Sequence, residues 1–496
     1  MENNLSKPEF TQTADTLFDR ISRSVILKIA VIFFITLILL IPMNMVHDLI
    51  SERKNREDIV AKEIASKWGL DQVISTPILA VPYPVLKENS IKSADGTQKL
   101  VELLETEWAF LMADQVAITA EVNPEARKRG IYETVVYTSQ VKIKGNFSKF
   151  DLDKLKLDSQ KLNWKEAKLV FGIEDFKGLA KNPILKWKEK EYELTKDHVD
   201  LNLFPQSLYV NLPLEQNEDA AAGFEIKMDI KGSNTLNFLP LAKQTSITTS
   251  GTWKNPSFSG NFIPDQRDVN ESFSAQWNIP SFSRKMPQEW NGSSNRIYEF
   301  MGLELTTELS AQEYEQIDTR HVDFSKSNQV NQQLLSNDWD MVQVRFLPQV
   351  NNYQKTTRVT KFGILVVALS FVSLIFLEII KRKKIHLIQY ILIGFAMVLF
   401  YALLLAISEH IGFNWAYVIA SLLTITLISS FVGTITKNWQ SSSIFGLILS
   451  TFYVFIFVLL QLRDYSLIVG TIGIFVILAI LMRLSTKIDW YQYEQK

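Results

Sequence analysis

Six stretches of this chain are apolar for long enough to cross a membrane: 25–43, 362–380, 387–407, 413–435, 444–462 and 467–484. A helix needs about 20 mostly apolar residues to span the hydrocarbon core. One stretch lies near the N-terminus, and the other five follow one another almost without a break near the C-terminus. Residues 46–360, between them, are polar. This pattern predicts an α-helical integral membrane protein with six transmembrane helices and one large extramembrane domain. The expected order is an N-terminal tail 1–24, a signal anchor 25–45, the domain 46–360, a five-helix bundle 361–484 and a C-terminal tail 485–496. The first stretch ends Ile41-Pro42-Met43-Asn44 with no small-residue cleavage site, so it reads as an uncleaved anchor rather than a removable signal.

Inside the polar region the pattern changes twice. Residues 46–70 carry alternating charge with Ile59, Ile64 and Trp68 before Gly69, which predicts a solvated helix stopping at the glycine. The segment Thr76-Pro77-Ile78-Leu79-Ala80-Val81-Pro82-Tyr83-Pro84 follows. Its prolines allow an extended edge segment but not a helix. From about 100 to 300 the period is two, clearest in Phe224–Gly232 and in the β-branched and aromatic run Ile131–Gly145. Both runs end in Lys-Gly with an Asn and a Phe beyond, which hints at a repeated β unit. The domain is therefore expected to be β-rich and antiparallel, a sandwich or large twisted sheets. Residues 308–340 read as a helix or long connection, leading to a last strand at 340–347.

Positive residues near helix ends set orientation. Arg20, Arg23 and Lys28 precede the first span, and Lys381, Arg382, Lys383 and Lys384 follow the second; Lys437, Arg483 and Lys487 fit the same side. If these face the cytoplasm, both termini are inside and the large domain is outside. Lys381–Lys384 reads first as a topology signal, with binding of anionic lipid as the alternative.

Composition narrows the chemistry. Among 496 residues there are 52 basic, 53 acidic and no cysteine. The charge balance gives no footprint for nucleic acid, and thiol chemistry and Cys-ligated metals are excluded. Near the membrane, Glu378 stands at the end of the second span, where Lys381 or Arg382 could pair with it. No Asp, Glu, Lys or Arg lies mid-helix, which argues against an ion-coupled pump. The fourth span carries Ser421, Thr424, Thr426, Ser429, Ser430 and Thr434, with Ala416 and Ala420 four apart; Ser466 and Gly470 repeat that spacing in the sixth. Close helix packing is the first reading of this pattern and a polar conduit the second. There is no phosphate-binding loop, dinucleotide fingerprint, nucleophile elbow or zinc-protease motif. The five histidines are scattered. Asp197-His198-Val199-Asp200 is best read as a solvated surface pair, and Glu409-His410 as a polar cap on a short turn. No catalytic, cofactor-binding or metal-ligating residue is nominated, and no cofactor is expected.

Several motifs occur together and in order. Near the first span are Leu49-Ile50-Ser51-Glu52-Arg53, Glu63-Ile64-Ala65-Ser66-Lys67-Trp68-Gly69 and Pro77-Ile78-Leu79-Ala80-Val81-Pro82-Tyr83. In the domain are Phe238-Leu239-Pro240-Leu241, Pro256-Ser257-Phe258-Ser259-Gly260, Phe262-Ile263-Pro264 and Phe273-Ser274-Ala275-Gln276-Trp277. The most specific lie in the tail: Gln389-Tyr390, Phe400-Tyr401-Ala402-Leu403-Leu404-Leu405, Ser408-Glu409-His410-Ile411-Gly412-Phe413, Asp464-Tyr465-Ser466-Leu467 and Ile488-Asp489-Trp490-Tyr491. Over essentially its whole length the chain resembles the CreD family of bacterial inner-membrane proteins, also called cell-envelope integrity proteins. One departure is Thr76, where the family commonly has Gly.

The resemblance implies a multi-pass protein of the bacterial inner membrane with a periplasmic loop, and expression tied to a two-component system. It also implies a role in envelope integrity, with changed tolerance to colicins and β-lactams. It supplies no reaction and no catalytic residues. The expected partners are the lipid bilayer and envelope proteins or lipids. Glu409 and His410, with Arg463 and Asp464, fall in outer turns and are candidates for a seam between domain and bundle. The favoured function is a non-enzymatic structural or accessory role in the envelope. One rival is the handling or transport of lipids or envelope precursors, marked by an apolar cleft continuous with the bundle. Another is an envelope hydrolase with an unrecognised site.

Overall fold

The computed structural model describes residues 25–92, 98–196, 201, 203–297, 340–347, 352–381, 383, 385–462 and 465–486. Asp197, His198, Asp200, Arg382, Lys384, Arg463 and Asp464 lie outside these, as does all but the last residue of the connection expected at 308–340. The chain divides into two compact units, Met1–Asp58 with Val350–Lys496, and Ile59–Gln349.

The first unit is helical. Helix α1 covers Val25–Ile38 and α2 covers Leu40–Trp68. The sequence suggests two helices meeting near residue 45, but the two are almost continuous and the interruption falls at Leu39. Pro42 has no amide hydrogen to give the carbonyl of Ile38, which explains a break one turn ahead of it. After a short helix α3 (Asn352–Lys361) come α4 (Gly363–Lys381), α5 (Leu387–Ile411), α6 (Phe413–Thr436), α7 (Trp439–Gln461) and α8 (Ser466–Ser485). Among the described residues, six helical stretches are long and apolar enough to cross a membrane.

Packing in this unit uses the small residues. Ala416, Ala420 and Thr424 are buried in a row on α6. Ser442 on α7 donates to the carbonyl of Ser429 at 2.6 Å, and a Cβ on Gly446 would stand 2.8 Å from the Ser429 hydroxyl. Ser421, Ser430 and Thr434 turn their hydroxyls back to carbonyls of their own helix. Phe400 on α5 is ringed by Tyr401, Tyr417 and Tyr453, with centroids 4.9, 5.6 and 4.7 Å away.

The second unit is β-rich and mostly antiparallel, with seventeen strands among the described residues. In chain order they run from β1 (Gln72–Ser75), β2 (Ile78–Lys92), β3 (Gln98–Met112), β4 (Gln115–Arg129) and β5 (Tyr132–Asn146) to β6 (Lys168–Gly172), β7 (Ile184–Trp187), β8 (Lys190–Glu193) and β9 (Ser207–Asn211). They continue through β10 (Gly223–Ser233), β11 (Thr235–Leu239), β12 (Gln244–Gly251), β13 (Pro256–Gly260), β14 (Gln266–Val269), β15 (Phe273–Pro280), β16 (Glu289–Gly292) and β17 (Val342–Phe346). Three sheets result, in the orders β1-β11-β17-β13, β14-β15-β12-β4-β5-β10-β7-β8 and β16-β3-β2-β6-β9. Two pairings are parallel, β1 with β11 and β4 with β12.

The five-stranded sheet is buried on both faces. Leu79, Val81, Ala109, Leu111, Leu169 and Phe171 enter one core, and Ile78, Ala80, Phe110, Met112 and Val170 enter another. A strand covered on both sides has no reason to alternate, so its sequence runs apolar. By contrast, β15 buries every second residue, with Phe273, Ala275 and Trp277 inward. The proline-rich segment expected at a sheet edge begins inside the sheet, because β6 pairs with Ile78–Ala80. Beyond Ala80 that side of β2 is unpaired in register, so Pro82 and Pro84 leave no ladder bond unmade. Thr76, the departure from the family pattern, is fully buried, and its hydroxyl accepts the amide of Leu241 at 3.0 Å.

Candidate functional site

Two polar clusters of the helical unit stand at the two ends of α5. At its start, Lys28 from α1 reaches Glu378 on α4 at 2.5 Å and donates to the carbonyl of Ile385 at 2.8 Å. Tyr390 on α5 donates to the other carboxylate oxygen of Glu378 at 3.0 Å, and its ring centre lies 5.6 Å from the Lys28 ammonium. The lysine and glutamate side chains are only 15% and 14% exposed. The sequence offered Lys381 or Arg382 as a partner for Glu378; the structure gives it Lys28, a partner the sequence did not suggest, and Arg382 lies outside the described residues. The physical reason is direction: Glu378 points between α1 and α5. The signal that could have found this pair is a lysine inside an apolar run, which costs free energy unless something answers it.

At the far end of α5, Asn352 on α3 bridges the turn into α6. Its amide donates to the carbonyl of Ser408 at 3.2 Å, and its oxygen accepts the amide of Phe413 at 3.2 Å. Gly412 between them adopts φ +81°, a left-handed conformation that favours glycine. Tyr353 donates to Glu409 at 3.1 Å, and Arg53 on α2 stands 3.9 Å from the same carboxylate. These partners of Glu409 all come from the helical unit. His410 is exposed beside it. Sequence reasoning singled out Glu409 and missed Asn352 and Tyr353, whose short helix carries no apolar signature. Of the basic cluster, Lys381 closes α4 half-buried and Lys383 is exposed.

In the β unit, the end of α2 is pinned by polar contacts. The Trp68 indole donates to the carbonyl of Tyr137 at 3.2 Å, and its ring lies 4.9 Å from the Arg127 guanidinium and 5.0 Å from the Lys231 ammonium. Gly69 stops the helix where a Cβ would come within 2.6 Å of the Lys231 carbonyl. Asp175 accepts the amides of Leu70 and Lys177 at 2.9 and 3.0 Å. Two further carboxylates share this junction. Desolvation pushes Glu174 up to about 7, with repulsion from Asp175 and Asp71 adding to it. Desolvation likewise pushes Asp71 up to about 6, against hydrogen bonds from Thr235 and Asn234. The arrangement can hold and release protons near neutral pH. Among the described residues no group of three His, Asp or Glu gathers to hold a metal ion.

Against known proteins, the family model described as inner membrane protein CreD matches residues 24–491. The inner membrane protein CreD of Escherichia coli (strain K12) is 26% identical over 471 residues, covering 94% of each chain.

Proposed function

Because the chain belongs to the CreD family of inner membrane proteins, we propose that it serves the bacterial cell envelope as a non-enzymatic structural or accessory protein. In this reading the β unit lies on the periplasmic side and both termini are cytoplasmic. The observation that carries it is the build of the helical unit. Its half-buried carboxylates Glu378 and Glu409 are answered within the unit, by Lys28 and Tyr390 and by Arg53 and Tyr353, and its spans meet through small residues and aromatic rings. The orientation is supported by Lys381 and Lys383 beside the second span.

The absence of cysteine makes the test clean. Glu189→Cys in the β unit and Lys383→Cys after α4 are single, exposed reporters. A membrane-impermeant maleimide applied to spheroplasts should label the first, and the second only after lysis; the reverse result removes the orientation. Deleting the gene should change tolerance to colicins and β-lactams, and the full chain should restore it. Turnover of an envelope component by the purified chain would refute the non-enzymatic reading.

A further inference from the structure

The β unit contains a cleft of about 680 Å³ that none of the contacts above uses. It opens beside the β2–β3 hairpin, against the helical turn Trp164–Glu166, the start of β6, the end of β9 and Gly292–Ser294. That volume is in the range that holds small-molecule ligands.

On one side of the cleft two carboxylates are answered by two cations, Lys87 in contact and Arg296 through its charge on Glu107. Lys87 bridges Glu105 and Glu107 at 3.0 and 2.9 Å, and Tyr83 donates to Glu107 at 2.9 Å. The other side is open. The Lys168 ammonium lies 5.4 Å from the ring centre of Trp108 and 5.3 Å from that of Tyr209. Aromatic faces attract a cation but carry no net charge to cancel it. Among the described residues, neither Lys168 nor the exposed Lys165 makes an ion pair, and nor does Glu166 between them in sequence. Two unpaired cations and one unpaired anion favour a ligand with a single negative charge over a dianion. Asn211, Thr106 and Ser293 add polar groups for the rest of the molecule.

The cationic side is also held in place. Register sets Trp108 between Pro82 and Gly292, and Lys168 between Ala80 and Asn211. A site that is already ordered spends little free energy on ordering itself when a ligand enters.

We propose that this cleft binds a small polar molecule through a single carboxylate held by Lys165 and Lys168. Acidic sugars and peptide C-termini share that chemistry. The test uses the full chain in detergent, titrated calorimetrically with two matched pairs: glucuronic acid against glucose, and trialanine against trialanine amide. Binding of glucuronic acid over glucose supports the proposal and makes the source an acidic sugar. Binding of trialanine over its amide supports it and makes the source a peptide. Lys165→Gln and Lys168→Gln should each weaken the bound acid about tenfold, or ~1.4 kcal/mol. Thermal melting checks that each variant folds; Lys165 lies exposed on its turn, so its variant carries the test if Lys168→Gln unfolds. The proposal is overturned if neither acid binds, if each neutral partner binds as well as its acid, if inorganic phosphate binds more tightly than both acids, or if folded variants bind as the parent does.

Discussion

Lys28 is a charge inside an apolar run, and its partner Glu378 is 350 positions away in sequence. Breaking a buried pair leaves one charge unanswered, at a cost of about 3–5 kcal/mol. Lys28→Met should therefore destabilise the purified chain by that order in denaturant titration, and adding Glu378→Gln should recover most of the loss. Two glycines also explain the repeated Lys-Gly seen in the sequence. Gly145 faces Phe224 across the β5–β10 pair, and Gly232 faces Tyr137. A Cβ on Gly145 would stand 2.8 Å from the Phe224 ring, and one on Gly232 2.3 Å from the Tyr137 hydroxyl. The two runs are one antiparallel ribbon, each glycine making room for the other strand's aromatic ring. Gly232→Ala should lower stability by about 1–3 kcal/mol through overpacking, read by thermal melting. The sequence showed the likeness of the runs but not that they are partners, because pairing is a long-range fact.

At the scale of elements, alternation made β5 and β10 legible, and length with apolarity made the spans legible. The five-stranded sheet was harder, since burial on both faces erases the period that marks a strand. The junction after α2 was half legible: Gly69 gave the stop, but Asp71 and Glu174 meet only once β1 lies beside the segment Ile173–Asp175. Both carboxyls hold their protons more tightly folded than unfolded, at about 6 and about 7. Stability from this junction is therefore full below about pH 4, where both carboxyls are protonated even unfolded, and is lost as pH rises from there through 6 to 7. Melting of the β unit should occur at a lower temperature at pH 8 than at pH 5, apart from other titrating groups. Glu174→Gln with Asp71→Asn should flatten that difference.

For the whole molecule, composition alone separated a membrane part from a polar part, and the family resemblance agreed with the fold around it. Strand order was beyond the sequence, because the sheets join segments far apart. In the four-stranded sheet, β17 lies between β11 and β13 and supplies the register for both. Val344 at its centre is fully buried. Val344→Asp would bury an unpaired carboxylate and should make the β unit cleavable in limited proteolysis where the parent resists. The same strand imposes a timetable. Chains emerge from the ribosome at about 5–20 residues per second, so roughly 14–55 s separate the appearance of Gln72 from that of Phe346. Through roughly the last 4–17 s of that interval, from Gly260 to Phe346, β11 and β13 exist without the strand that joins them. A newborn copy must keep its half-built sheets from meeting those of its neighbours until the last strand arrives.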